Sequence, residues 1–200
     1  MGGRYPWGQS MVMAKSEARS LTVRQQKGRA VNAVAELLEK RLAVPNIYLE
    51  PRSPYISADV LAVDRAGSGD LHAVEIKLED ELRGKSTVAA ALDPKRWMQT
   101  QIKATSKVIL AQLMALPAHY RYLAIPHSTW DLMMGELGPL LYSRDGIGRV
   151  GIIAITYRGQ DPPSAELSVA PERFRVDAVK LGNVEKKLLQ KVRPDIEVRI

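Results

Sequence analysis

Asp59, Glu75 and Lys77 are the residues of this chain whose types and spacing could do chemistry together. They fall in ADVLAVDRAGSGDLHAVEIKLED (58–80), where two apolar runs, VLAVD and LHAVEIKL, flank the glycine-rich RAGSGD and read as a β-hairpin. Side chains alternate along a strand, so Glu75 and Lys77 share a face while Ile76 points the other way. Pairing the strands about the turn brings Asp59 opposite Glu75, and in the register 59 with 75 all three polar groups share one face. Directly opposed residues have Cβ atoms ~4.5–5.5 Å apart, and two carboxylates that close repel unless a cation sits between them. A hard divalent ion suits such a pair, since it is satisfied by one or two carboxylates with water and substrate phosphate. Lys77 could orient a water or steady the charge building on a phosphoryl group. The plainer alternative is a solvated strand end with a Glu75–Lys77 ion pair.

The neighbouring elements must hold that hairpin end in place. Upstream, LTVRQQKGRAVNAVAELLEKRLAV (21–44) has Val31, Val34, Ala35, Leu38 and Leu42 at three- and four-residue steps, an amphipathic helix with its exit at Pro45. NIYLE (46–50) is a short strand and PRSPY a connection. Downstream, KSTVAAALDP fits no single element, and KRWMQTQIKATSKVILAQLMAL (95–116) is a long helix ended by Pro117. HYRYLAIP (119–126) is a strand, STWDLMMGELGPLLYS (128–143) a helical segment with Ser128 as its N-cap, and RVGIIAITY (149–157) an apolar buried strand. VKLGNVEKKLLQKV (179–192) reads as a short basic helix with Val184, Leu188 and Val192 on one side. Helices alternating with short apolar strands predict an α/β fold around a mixed sheet. The expected organisation is a mobile basic leader over 1–19, a core over 20–158, and a basic C-terminal appendage over 159–200.

Asp, a hairpin and then E-x-K, with an amphipathic helix on either side, resembles the PD-(D/E)XK nuclease superfamily, the fold of many restriction enzymes and Holliday-junction resolvases. The resemblance spans residues 22–157 and implies a restriction-endonuclease-like αβββαβ core with a mixed central sheet flanked by helices. It implies that Asp59 and Glu75 bind Mg²⁺, with Mn²⁺ able to substitute, that the Ile76 carbonyl adds a ligand, and that Lys77 assists the attacking water. Ala58 stands where the family commonly has proline. The family's first helix usually carries a Glu that reaches the metal through water. Spacing from Gly28 points to Asn32; ligand chemistry points to Glu36, which is the expected ligand. Gln99, Gln101 and Lys103 are accessory candidates on the next helix, with solvated helix positions as the plainer reading of each. The implied activity is metal-dependent hydrolysis of DNA phosphodiester bonds, and cutting both strands commonly requires a homodimer in this family. The alternative is a catalytically inactive nuclease-fold protein that binds nucleic acid or regulates DNA transactions.

Charge agrees with a polyanionic partner. The net charge is +7, and residues 1–29 hold six basic residues against one acidic, residues 180–200 six against three. The rest is balanced, so the excess sits at the two ends. Lys15, Arg24, Lys27, Arg29, Lys186, Lys187 and Lys191 are the expected phosphate contacts, since Lys and Arg gain affinity by displacing counterions. Solubilising termini are the alternative. The absence of cysteine excludes a disulfide scaffold, a zinc–thiolate site and a cysteine nucleophile. No run approaches the ~18 apolar residues of a membrane span, and no signal-peptide stretch is present, so a cytoplasmic protein without a small-molecule cofactor is expected. His72, His119 and His127 lack metal-ligand spacing and read as surface or capping residues. Trp97 and Trp130 read as core residues, and Ser53 and Ser57 have no nearby His. Gly67, Ser68 and Gly69 make a turn and not a phosphate loop.

Overall fold

The computed structural model describes residues 21–41, 43–44, 46–49, 58–64, 68–83, 94–130, 149–159 and 161–190. Helix α1 (Val23–Arg41) is followed by strands β1 (Asn46–Leu49), β2 (Val60–Val63) and β3 (Leu71–Ile76). Helices α2 (Glu79–Arg83) and α3 (Pro94–Ala115) lead to β4 (Tyr120–Pro126), and β5 (Gly151–Thr156), β6 (Ser164–Val169) and α4 (Ala178–Gln190) follow among the described residues. The six strands form one mixed sheet in sequence order. Strands β1–β3 are an antiparallel meander, β3, β4 and β5 run parallel, and β6 returns antiparallel to β5. The fold is α/β, a mixed sheet flanked by helices.

Two apolar layers cover the sheet. On one face Ala30, Val31, Val34, Leu37 and Leu38 of α1 pack against Val60, Ala62, Val74, Ile76, Tyr122, Ala124, Ile153 and Ile155. On the other, Ile109, Leu110 and Leu113 of α3, Leu82 of α2 and Val184 of α4 cover Leu61, Leu71, Ala73, Leu123, Ile125 and Ile152. Trp130 packs at the margin of this second layer, in keeping with the expected core role; the Trp97 side chain lies outside the described residues. Strands β3, β4 and β5 are buried on both faces, which is why they read as continuous apolar runs.

Local signals fix several element ends. Thr22 and Gln25 form a capping box for α1: the Gln25 amide donates to Thr22 Oγ1 at 3.3 Å and the Thr22 amide to Gln25 Oε1 at 3.0 Å. The β2–β3 turn closes through the Gly69 amide to the Asp64 carbonyl at 2.7 Å, with Gly69 at φ +72°, a conformation that favours glycine.

Two expectations change. Ser164–Val169, taken as part of an appendage, is the sixth strand of the sheet, and α4 docks on its core through Leu181 and Val184, so a boundary at 158 cuts through the sheet. Strand β6 escaped the sequence because its outer residues alternate with half-buried Ala165, Leu167 and Val169, a weak edge-strand pattern. Ser128 is not an N-cap: His127–Thr129 form a single 3₁₀ turn with no side-chain cap, and the hydroxyl that bonds there is Thr129's, donating to the Pro126 carbonyl at 2.8 Å. Most of the helix expected from Ser128 lies outside the described residues, as do the leader over 1–19, PRSPY and residues 85–93 of KSTVAAALDP. Glu79–Arg83 forms a short helix that the sequence did not announce.

Candidate functional site

The β2–β3 register pairs Val60 with Val74 and Leu61 with Ala73, which continues as Asp59 against Glu75. Regular pairing stops there. The Asp59 amide donates to the Val74 carbonyl at 3.0 Å, and the Asp59 carboxylate takes up the next strand amide, Ile76 N–H donating to Oδ2 at 2.7 Å. Asp59 thus ends the ladder with its own side chain. Glu75 and Lys77 share the face of Leu71 and Ala73, and their side chains meet, Lys77 Nζ to Glu75 Oε1 at 2.6 Å. The Lys77 amide is held by the Ala124 carbonyl at 2.9 Å, so the E-x-K end of β3 is clamped between β2 and β4.

Of the plainer alternative, the Glu75–Lys77 ion pair is present, but the strand end is not solvated. Asp59, Glu75 and Lys77 side chains are only 16%, 12% and 19% exposed. Burial raises the Glu75 carboxyl above the usual carboxylate range, with the Asp59 charge adding to that shift and the Lys77 hydrogen bond opposing it. A carboxylate held this way favours any cation that approaches it.

Two further charged groups join from the helices. Lys27, in the first turns of α1, reaches Asp59 Oδ1 at 3.0 Å and Glu81 Oε1 at 3.6 Å. Glu81 is positioned by α2: its Oε2 accepts the Leu78 amide at 2.8 Å, the backward half of a capping box. The centre therefore holds three carboxylates and two ammonium groups. No cluster of three or more His, Cys, Asp or Glu arranged to hold a metal occurs among the described residues. A divalent ion would have Asp59 and Glu75 as its carboxylate ligands and would take the rest from backbone, water and substrate. That donor set fits a hydrated, oxygen-seeking ion such as Mg²⁺ and does not fit a four-ligand zinc site.

Glu36 is not part of this centre. It lies on the outer side of α1, 61% exposed, paired with Lys40 at 2.6 Å. Asn32 is exposed as well. At ~100° per residue, Glu36 stands half a turn round the helix from Lys27, and Asn32 nearly as far. The residue that α1 delivers is Lys27, one of the expected phosphate contacts. The signal for it was present, since Lys27 stands four residues before Val31 and seven before Val34 at the head of the apolar stripe.

Gln101 is half-buried on α3 and makes no hydrogen bond to the centre among the described residues; the side chains of Gln99 and Lys103 lie outside them. Arg24 is exposed and Arg29 half-buried on α1. Lys186 and Lys187 lie in α4 with side chains outside the described residues, as do Lys15 and Lys191 altogether.

The histidines expected in surface or capping roles divide. His127 is exposed, but His72 and His119 are buried. His72 stacks on Tyr120 with centroids 4.6 Å apart, and its Nδ1 lies 3.0 Å from the Tyr122 hydroxyl. Burial pulls the His72 imidazole down to about 4. His119 Nδ1 accepts the Leu71 amide at 2.9 Å, so that nitrogen carries no proton, and its 3.6 Å approach to Asp70 is not an ion pair through Nδ1. Asp70 is instead matched by Arg173, whose Nε and Nη2 both donate to it, the latter at 2.7 Å.

No family model matches the chain, and no curated protein matches it. Among solved structures, it is similar to a protein of unknown function from Silicibacter pomeroyi, at 14% identity and a TM-score of 0.43, covering 86% of each chain. A likeness at that level bears on neither fold family nor activity. Among the described residues no helix is long and apolar enough to cross a membrane.

Proposed function

We propose that this chain is a metal-dependent nuclease of the PD-(D/E)XK type, hydrolysing DNA phosphodiester bonds. One observation carries the reading: Asp59 and Glu75 oppose each other across the β2–β3 hairpin with Lys77 on the same face, all three largely buried at one end of the sheet. The order helix, three strands, helix, strand, which surrounds them, supports the restriction-endonuclease-like fold.

Asp59 and Glu75 would hold the ion. When bound, Mg²⁺ supplies Lewis-acid polarisation of the phosphate and a water of lowered pKa. The Ile76 amide fixes the Asp59 carboxylate, so the ligand geometry is set before substrate arrives. Lys77 stands beside Glu75, where its ammonium can orient the attacking water and counter the charge that gathers on the phosphoryl oxygens. The water oxygen bonds to phosphorus and gives up a proton to solvent as the bond to the leaving sugar oxygen breaks, and that leaving oxygen takes a proton from solvent. The basic ends of the chain would hold the DNA backbone.

A second reading, a nuclease-fold protein that binds nucleic acid without cutting it, is favoured by Lys27, because α1 brings Asp59 a cation where a carboxylate would strengthen a metal site.

The separating experiment measures DNA binding without metal, and cleavage of linear, junction and flap DNAs with Mg²⁺ or Mn²⁺. Glu75→Ala removes a negative charge near the phosphate, so binding without metal is equal or tighter while cleavage is lost. Lys77→Ala also loses cleavage, but its binding is equal or weaker. Wild type that cuts no DNA with any metal, or variants that still cut, would refute the catalytic reading.

A further inference from the structure

The proposed chemistry leaves Lys27 unexplained. It comes from a helix packed on the opposite face of the sheet from Glu75, yet its side chain is three-quarters covered and reaches round the strand end to Asp59. Both oxygens of Asp59 are thereby engaged, Oδ2 by the Ile76 amide at 2.7 Å and Oδ1 by Lys27 Nζ at 3.0 Å. A divalent ion that takes Oδ1 meets the Lys27 ammonium against the same oxygen, and the two cations repel at a separation of a few ångströms. The structure also provides a place for the displaced ammonium. Glu81 Oε1 lies 3.6 Å from Lys27 Nζ, and Glu81 is anchored by its other oxygen to the Leu78 amide.

We propose that Lys27 is the built-in counter-cation of the acidic centre: it competes with the divalent ion for Asp59 Oδ1 and moves onto Glu81 when the ion binds. This deepens the metal-site reading and rests on it. Lys27 is then a positioning residue that holds the Asp59 carboxylate in place before metal loading, at the expense of metal affinity.

The test is Mn²⁺ binding to the full chain without nucleic acid, followed by titration calorimetry and by the loss of the free-ion electron paramagnetic resonance signal. Lys27→Met and Lys27→Gln should each bind Mn²⁺ about tenfold more tightly than wild type, the order expected for removing a competing, partly buried ion pair. Asp59→Asn should bind it more weakly. The sign decides the matter, because a substitution that merely loosened the site would weaken the ion. Two Lys27 variants guard against one failing to fold. If wild type binds Mn²⁺ through Asp59 and both Lys27 variants bind it equally or less tightly, the counter-cation role is overturned and the metal site stands. If no protein, Lys27→Met included, binds Mn²⁺, the metal reading itself falls and the competition with it.

Discussion

Asparagine and alanine at position 59 separate the two bonds of Asp59. Its Oδ2 accepts the amide of Ile76, a fully buried residue, at 2.7 Å; its Oδ1 accepts Lys27 at 3.0 Å. Asparagine keeps one acceptor oxygen for the Ile76 amide but turns a charge-assisted hydrogen bond into a neutral one, a loss of about 1 kcal/mol. It also removes the Lys27 ion pair, worth about 1 kcal/mol after allowance for the partial exposure of both groups. Asp59→Asn should therefore destabilise the fold by roughly 2 kcal/mol. Alanine also leaves the Ile76 amide without a partner, which adds about 1–3 kcal/mol and brings the loss to roughly 4 kcal/mol. Urea unfolding at neutral pH measures both, and the midpoint should fall stepwise from wild type to asparagine to alanine with little change in slope. Equal midpoints for the two variants would show that the Ile76 bond contributes nothing, and an unchanged midpoint for asparagine would remove the ion pair too. Cleavage should be absent in both, because neither retains the charged ligand, whatever their stability.

Other expectations follow from single sites. His72 has its folded pKa lowered to about 4 from 6.5, so it contributes stability that is present above pH 6.5 and lost as pH falls toward 4. The swing is about 3 kcal/mol, and His72→Gln should flatten the unfolding free energy across that window; an unchanged slope would show that the ring is not buried neutral. Gly151→Ala would place a Cβ 2.7 Å from Tyr122 Cδ1 and 3.0 Å from Pro171 Cδ, and Tyr122 is buried and cannot yield, so a loss of about 1–3 kcal/mol in chemical unfolding is expected. Deleting residues 1–19, if they neutralise phosphates, should lower the log–log salt slope of DNA binding by about 0.9 for each phosphate left bare, and an unchanged slope would make them solubilising only. The equivalent deletion of 180–200 is a poor test, because it removes Leu181 and Val184 from the core.

The hairpin register was legible because its causes are local: apolar alternation fixes which face each residue takes, and the short turn fixes what opposes it. That was enough to set Asp59 against Glu75 and to put Lys77 beside them. The long helices and the strands buried on both faces were legible for the same reason. What a helix delivers to a strand end is a different matter. Periodicity groups Lys27 with the apolar stripe of α1 and sets Glu36 opposite, but only the packing of α1 across the sheet brings Lys27 over Asp59 and leaves Glu36 with Lys40. Tertiary structure likewise decided that β6 closes the sheet, that His72 lies among tyrosines, and that Arg173 answers Asp70 from a hundred residues away. Each depends on contacts between distant segments, which are set by how whole layers stack and leave little trace in the spacing of neighbouring residues.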